Sequence, residues 1–143
     1  MGESFHLVYL SLGTNLGNRE ENMRRALRQL SLCVGPLERV SSFIETEPWG
    51  FQSSHRFLNA CCSLRTGLSP MALLEATQRI ERELGRKEKS INGVYHDRLI
   101  DIDILYYDNL RLDTPRLTIP HPHIHEREFV MKPLRQILRQ QKP

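Results

Sequence analysis

Residues 100–104 read Ile-Asp-Ile-Asp-Ile, and that alternation leaves little choice of local structure. In an extended strand successive side chains point to opposite faces, so the three isoleucines share one face while Asp101 and Asp103 share the other. A helix would scatter the same five residues around its circumference. The chain is therefore expected to hold a strand from Arg98 to Tyr107 (RLIDIDILYY), buried on its isoleucine face. Something apolar has to cover that face, and the periodicity elsewhere in the chain shows what does.

Phe5 to Leu12 (FHLVYLSL) is a first strand closed by Gly13. Asn18 followed by Glu21 reads as a helix N-cap with a capping box. Met23, Ala26, Leu27 and Leu30 then fall on one helical face, and Gly35-Pro36 ends the pattern. Val40 to Thr46 reads as a second strand, followed by a loop with Pro48, Trp49 and Gly50, and Phe57 to Arg65 reads as a third. Ser69-Pro70 opens a second helix, whose stripe is Leu73, Leu74, Thr77, Ile80 and Leu84, with Gly85 placed to end it. Arg86 to His96 is charged and aperiodic, an exposed loop. Past the Asp strand, Asp108-Asn109 makes a turn, Leu110 to Leu112 is expected to return antiparallel, and Glu126 to Leu138 adds a helical segment. The order β-α-β-β-α-β predicts an α+β, ferredoxin-like core: an antiparallel sheet with both helices on one face, plus the C-terminal helical extension. At 143 residues a single domain spanning 1–143 is expected. A chain of this size buries about two-thirds of its surface without help from disulfides or metal. The fold hosts many unrelated activities and decides nothing about function.

Composition narrows the classes. No apolar run approaches the ~20 residues needed to span a bilayer. The opening Met1-Gly2-Glu3-Ser4 has neither the basic nor the apolar region of a signal peptide, so a cytoplasmic protein is expected. Cys33, Cys61 and Cys62 do not form a disulfide framework and are expected as buried or half-buried free thiols. The net charge is only +3, with the basic excess after Arg79. That is too little for a nucleic-acid footprint and suits a local anionic ligand. No nucleic-acid or membrane partner is expected, and the chain is expected to be a monomer.

Two carboxylates at i and i+2 on one strand face repel each other unless a cation lies between them. Mg2+ is the natural candidate, a hard cation that takes one or two carboxylates together with phosphate oxygens and waters. A half-exposed strand with its polar residues outward would show the same alternation, so the setting decides. Arg86, Arg98, Arg116, His121 and Arg127 flank the strand. Guanidinium forks match phosphate oxygens; singly each would be an ordinary surface residue, but beside the aspartate pair they read as a triphosphate clamp. No P-loop or kinase glycine loop occurs. Gly13-Thr14-Asn15-Leu16-Gly17 is either a phosphate cradle or a plain capped turn. His121, His123 and His125 alternate, but Pro122 interrupts them and no cysteine or HExxH accompanies them. A single histidine on phosphate fits better than zinc.

These residues carry a resemblance. Leu10 to Gly17, Ser42-Phe43 through Thr46, Phe57-Leu58-Asn59, Ile80-Glu81 with Gly85-Arg86, Arg98 with Asp101-Ile102-Asp103, and Pro120-His121-Pro122 through Arg127 and Phe129 occur in order and at fitting spacing. Over nearly its whole length the chain resembles the 6-hydroxymethyl-7,8-dihydropterin pyrophosphokinases. The resemblance implies transfer of diphosphate from ATP to the hydroxyl of 6-hydroxymethyl-7,8-dihydropterin, with release of AMP, in folate biosynthesis. It implies Asp101 and Asp103 as ligands to two Mg2+ ions, and Arg86 and Arg98 as catalytic residues with them. Arg116, His121 and Arg127 would hold phosphates, and Gln78, Glu81, Ile104, Leu117 and Thr118 would line the nucleotide site. The pterin would lie between Phe57 and Phe129, read by Asn59 and the backbone around Thr46, with Gly13, Glu47, Trp49 and Tyr95 around it. The chain departs from the family at Tyr95-His96-Asp97-Arg98, where Trp-Gly-Pro-Arg is common, and at Glu47 and Trp49, where some members have Pro and Leu. Lys87 and Lys89 are both candidates for a further phosphate contact, and the 86–97 loop is expected to close over the substrates as a lid. Two rival readings stand beside this one. A ligand- or RNA-binding module would want exposed aromatics where the third strand has Ala60, Cys61, Cys62 and Ser63. A metal-dependent nuclease would use the aspartate pair and leave Phe57 and Phe129 incidental.

Overall fold

A computed structural model describes residues 5–46, 56–85 and 99–139. Glu47, Trp49, Arg86, Lys87, Lys89, Tyr95 and Arg98 lie outside the described residues, and so does the expected lid. Strand β1 (His6–Thr14) leads to helix α1 (Arg19–Cys33), then to two short strands, β2 (Leu37–Val40) and β3 (Ile44–Thr46). The long β4 (Phe57–Thr66), helix α2 (Pro70–Glu83) and β5 (Asp101–Tyr107) complete the core. A small hairpin of β6 (Leu112–Asp113) and β7 (Thr118–Ile119), a 3-10 turn (Ile124–Glu126) and helix α3 (Glu128–Arg139) follow.

The local signals act where the sequence places them. The Asn18 side chain accepts from the Glu21 backbone N–H at 3.1 Å, and that of Ser69 accepts from Ala72 at 3.2 Å. Both satisfy donors that the first turn of a helix leaves open. Met23, Ala26 and Leu30 of α1 and Leu73, Thr77 and Ile80 of α2 are buried, with Leu27, Leu74 and Leu84 packed at their margins. Gly85 takes φ +114 beyond α2, a conformation that favours glycine. At Gly35 a side chain has no room, since a Cβ there would run into the Arg65 carbonyl oxygen.

The sheet order is β2-β4-β1-β5, with β3 also paired to β4, and every pairing is antiparallel. This is the expected arrangement. One face carries Val8, Leu10, Leu12, Leu58, Ala60, Cys62, Ile102 and Ile104 against α1 and α2. The opposite face carries Tyr9, Cys61 and Leu105, packed against Ile124, Val130, Leu134 and Ile137 of the C-terminal segment. α3 thus makes the sheet a three-layer structure over part of its area.

Three expectations need correction. The second strand is not continuous over Val40–Thr46, because regular pairing with β4 stops after Val40 and resumes at Ile44, although the Ser41 N–H still donates to the Cys61 carbonyl at 2.9 Å. There the Ser41 hydroxyl accepts from the Cys61 N–H at 2.9 Å, and Gln136 of α3 accepts from the Ser42 N–H at 2.8 Å. The strand after the Asp108 turn pairs with Thr118–Ile119 rather than with the Asp strand. Cys33, expected to be buried or half-buried, is exposed. Cys61 and Cys62 are buried, and burial pushes the Cys62 thiol up to about 12 and the Cys61 thiol upward as well. Among the described residues no helix is long and apolar enough to cross a membrane.

Candidate active site

The antiparallel register turns sequence alternation into rows across the sheet. Asp101 pairs with Gly13, and Gly13 on its other side with Asn59. Asp103 pairs with Ser11, and Ser11 with Cys61. These rows lie on the face opposite the isoleucines, and α3 covers that face at Cys61 and Tyr9. Strands are spaced about 4.8 Å apart, so Asp101 and Asn59 stand roughly 10 Å apart with only Gly13 between them. Gly13 makes that floor bare. A Cβ there would sit 3.1 Å from Asn59 Oδ1 and 3.5 Å from the Phe57 ring, so both side chains lean over the space a larger residue would fill.

Asn59 is 4% exposed and donates from Nδ2 to Thr46 Oγ1 at 2.6 Å. The bond orients its amide, and it closes the end of the β3–β4 hairpin where Thr46 pairs with Phe57. Phe129, half-buried in the first turn of α3, packs against the cluster on this same face. The Arg127 guanidinium lies over its ring at 5.6 Å, within the range of a cation–π contact.

On the helix side of β5, Glu81 is buried at 4% exposure on α2, and its Oε2 accepts the Ile102 N–H at 2.7 Å. The bond ties helix to strand midway between Asp101 and Asp103, so Glu81 holds the backbone that carries both aspartates. His121 is fixed twice. Its backbone N–H donates to the Leu105 carbonyl at 3.1 Å, and its Nδ1 accepts the His123 N–H at 3.1 Å. With Nδ1 an acceptor, the ring proton belongs on Nε2. Burial, with Arg127 and His123 adding to it, lowers the His121 pKa to about 4 against an opposing pull from Asp101. The ring is neutral at pH 7, a donor at Nε2 in reach of the field of both Arg127 and Asp101.

The structure brings Gly13, Thr46, Phe57, Asn59, Asp101, Asp103 and Phe129 to one face of the sheet. Gln78 is half-buried on α2 one turn before Glu81, Arg116 is exposed, and Thr118 is half-buried on β7. Ile104 and Leu117 belong to the helix-side core, so their side chains do not share the aspartate face. Among the described residues no three of His, Cys, Asp and Glu group as a metal cluster. His123 bonds Glu126 at 3.0 Å. Ser11, between Asp103 and Cys61, is not distinguished by the sequence; only the register places it beside the carboxylate.

Comparisons with known proteins identify the family. The family described as 7,8-dihydro-6-hydroxymethylpterin-pyrophosphokinase (HPPK) matches residues 9–139. A 2-amino-4-hydroxy-6-hydroxymethyldihydropteridine pyrophosphokinase of Porphyromonas gingivalis is 54% identical over 129 residues, covering 90% of this chain and 88% of the relative. That of Bacillus subtilis is 39% identical over 136 residues, covering 94% of this chain and 80% of the relative. A crystal structure of an HPPK-DHPS in complex with substrates superposes with a TM-score of 0.74 over 97% of this chain and 41% of that one. At 16% identity that likeness speaks for the fold alone. By the family match and these two relatives, the chain belongs to the 7,8-dihydro-6-hydroxymethylpterin-pyrophosphokinase family.

Proposed function

We propose that this chain, as a pyrophosphokinase of its family, transfers diphosphate from ATP to the hydroxyl of 6-hydroxymethyl-7,8-dihydropterin, releasing AMP, and does so on the open face of the sheet. The observation that carries the placement is the row Asp101–Gly13–Asn59: carboxylate, bare floor and amide in line. The pterin lies over Gly13 between Phe57 and Phe129, where a flat heterocycle gains from aromatic burial. Asn59 and Thr46 read its polar edge, and placed polar groups of this kind give an apolar pocket its specificity.

Asp101 and Asp103 suit Mg2+, because two oxygen donors on one face leave the remaining positions of an octahedral ion to phosphate and water. Bound there, Mg2+ would neutralise phosphate charge and lower the cost of bringing the pterin hydroxyl to phosphorus; we assign two ions to the pair. Glu81 keeps the two carboxylates in register through Ile102. His121 donates from Nε2 to a phosphate oxygen without adding a proton equilibrium near pH 7, and Arg127 supplies fixed positive charge. Arg116 extends the phosphate side, and Gln78, Thr118 and the backbone at Ile104 and Leu117 line the nucleotide. Phosphoryl transfers of this kind need positioning and charge neutralisation more than covalent chemistry.

Isothermal titration with a pterin analogue, alone and then with a non-hydrolysable ATP and Mg2+, tests the reading. Binding of the analogue with an affinity that depends on nucleotide and metal is expected. No pterin binding under either condition overturns it.

A further inference from the structure

The floor of the pterin side depends on a three-residue strand. β3 runs only from Ile44 to Thr46 and pairs with Asn59, Leu58 and Phe57. Its middle residue, Glu45, sits opposite Leu58, which belongs to the helix-side core. Thr46 and Asn59 face the other way, onto the substrate side. An anchor that grips Glu45 from the helix layer therefore holds the substrate-facing residues from beneath.

Arg19, the first residue of α1, is placed to do so. One guanidinium nitrogen lies 2.8 Å from Glu45 Oε2, and the other donates to the Arg56 carbonyl oxygen at 2.9 Å. Glu45 directly precedes Thr46, and Arg56 directly precedes Phe57, so a single planar fork spans both strands of the hairpin at the Thr46–Phe57 pair. On the opposite face Asn59 bonds Thr46 at 2.6 Å. Neither lysine nor a neutral side chain can reproduce the two-pronged geometry of arginine. α1 itself is fixed at this end by the Asn18 cap and by Asn22, whose side chain donates to the Thr14 hydroxyl and the Leu16 carbonyl. The anchor is rigid where it needs to be.

We propose that Arg19 is a positioning residue for the pterin side of the site: it sets the spacing of the β3–β4 hairpin from the helix face, and with it the placement of Thr46, Phe57 and Asn59. The proposal rests on the assignment of those three residues to the pterin. Arg19 touches no substrate, and the nucleotide side of the site does not depend on it.

The experiment measures KM for the pterin and for ATP, kcat and thermal stability for Arg19→Met, Arg19→Lys and Glu45→Gln, with Asn59→Ala as the reference for the pterin site. An exposed ion pair combined with one charge-assisted bond implies a rise in pterin KM of roughly three- to tenfold in Arg19→Met. Glu45→Gln gives a smaller rise, and the double variant rises by less than the product of the two. Arg19→Lys recovers part of the loss, and ATP KM and melting temperature stay at the parent values. If Asn59→Ala raises the pterin KM and Arg19→Met does not, the positioning role is wrong and the pterin assignment survives. If Asn59→Ala leaves the pterin KM unchanged, both fall. Equal rises for pterin and ATP accompanied by a lowered melting temperature also overturn the proposal, since they would make Arg19 a general stabiliser.

Discussion

The two faces of the sheet are built from the same strands and put to opposite uses. On the helix face the rows of β5, β1 and β4 read Ile104–Leu10–Cys62 and Ile102–Leu12–Ala60, all buried under α1 and α2. One residue along each strand, the other face reads Asp103–Ser11–Cys61 and Asp101–Gly13–Asn59. A second layer covers only part of it. α3 lies over Tyr9, Cys61 and Leu105, and beyond it Asp101 and Asp103 are half-buried while Gly13 and Asn59 are buried. The helix-side face stabilises the protein, while the other face keeps polar and small groups in place with the rigidity it borrows through the strand backbone. Glu81 makes the connection explicit, a buried helix-layer carboxylate bonded to the amide between the two aspartates.

The sharpest way to break this contrast is to substitute neighbours on β5. Asp101→Asn or Asp103→Asn should lower turnover by about a thousandfold or more through lost metal stabilisation. Melting temperature, and pterin affinity measured without nucleotide and metal, should stay near the parent values. A variant keeping most of its turnover would remove the aspartates from the chemistry. One residue away, Ile102→Ala should do the reverse. The cavity it leaves costs about 3 kcal/mol of stability, read from urea unfolding, while pterin affinity of the folded protein holds. If Ile102→Ala and Asp103→Asn produced the same kind of defect, the division between faces would be wrong.

Phe129→Ala probes the border where α3 stops covering the face. Lost burial and stacking should weaken pterin binding by about 1–3 kcal/mol, measured by calorimetry, with ATP binding unaltered. Equal losses for both ligands would show that Phe129 serves the packing of α3 rather than the ligand.

The smallest effect concerns His121. Its folded pKa is lowered to about 4, whereas an unfolded histidine titrates near 6.5. Below about pH 6.5 the unfolded chain takes up a proton that the folded chain refuses, so stability falls as pH drops from there to about 4 and the contribution levels off beneath. Urea unfolding of the metal-free protein across that window should show a shallower slope for His121→Gln. Identical slopes would mean the imidazole is not desolvated by its place beside Arg127.

What the sequence by itself determined lies within a few residues of its cause. The opposite facing of Ile102 and Asp103 follows from strand geometry, and the caps at Asn18 and Ser69 and the glycine end of α2 follow from the open donors and carbonyls of helix termini. The ferredoxin-like order and the facing of the aspartate pair were legible for that reason, and the family resemblance added Asn59, Phe57 and Phe129 as candidates for the pterin side. Tertiary structure alone decided the rest. The interruption at Ser41–Phe43 meets Gln136, 94 residues away. Leu112–Asp113 chose Thr118–Ile119 over the Asp strand, and Glu81 turned inward to Ile102 although its neighbours on α2 include exposed charge. Arg19 joins Glu45 and Arg56, which follow it by 26 and 37 positions. Each of these depends on a polar group meeting a partner distant in the chain, and such a meeting leaves no period in the sequence. Apolar faces repeat because a whole face must be buried; a single ion pair or amide bond is needed only once, and only the folded chain shows where.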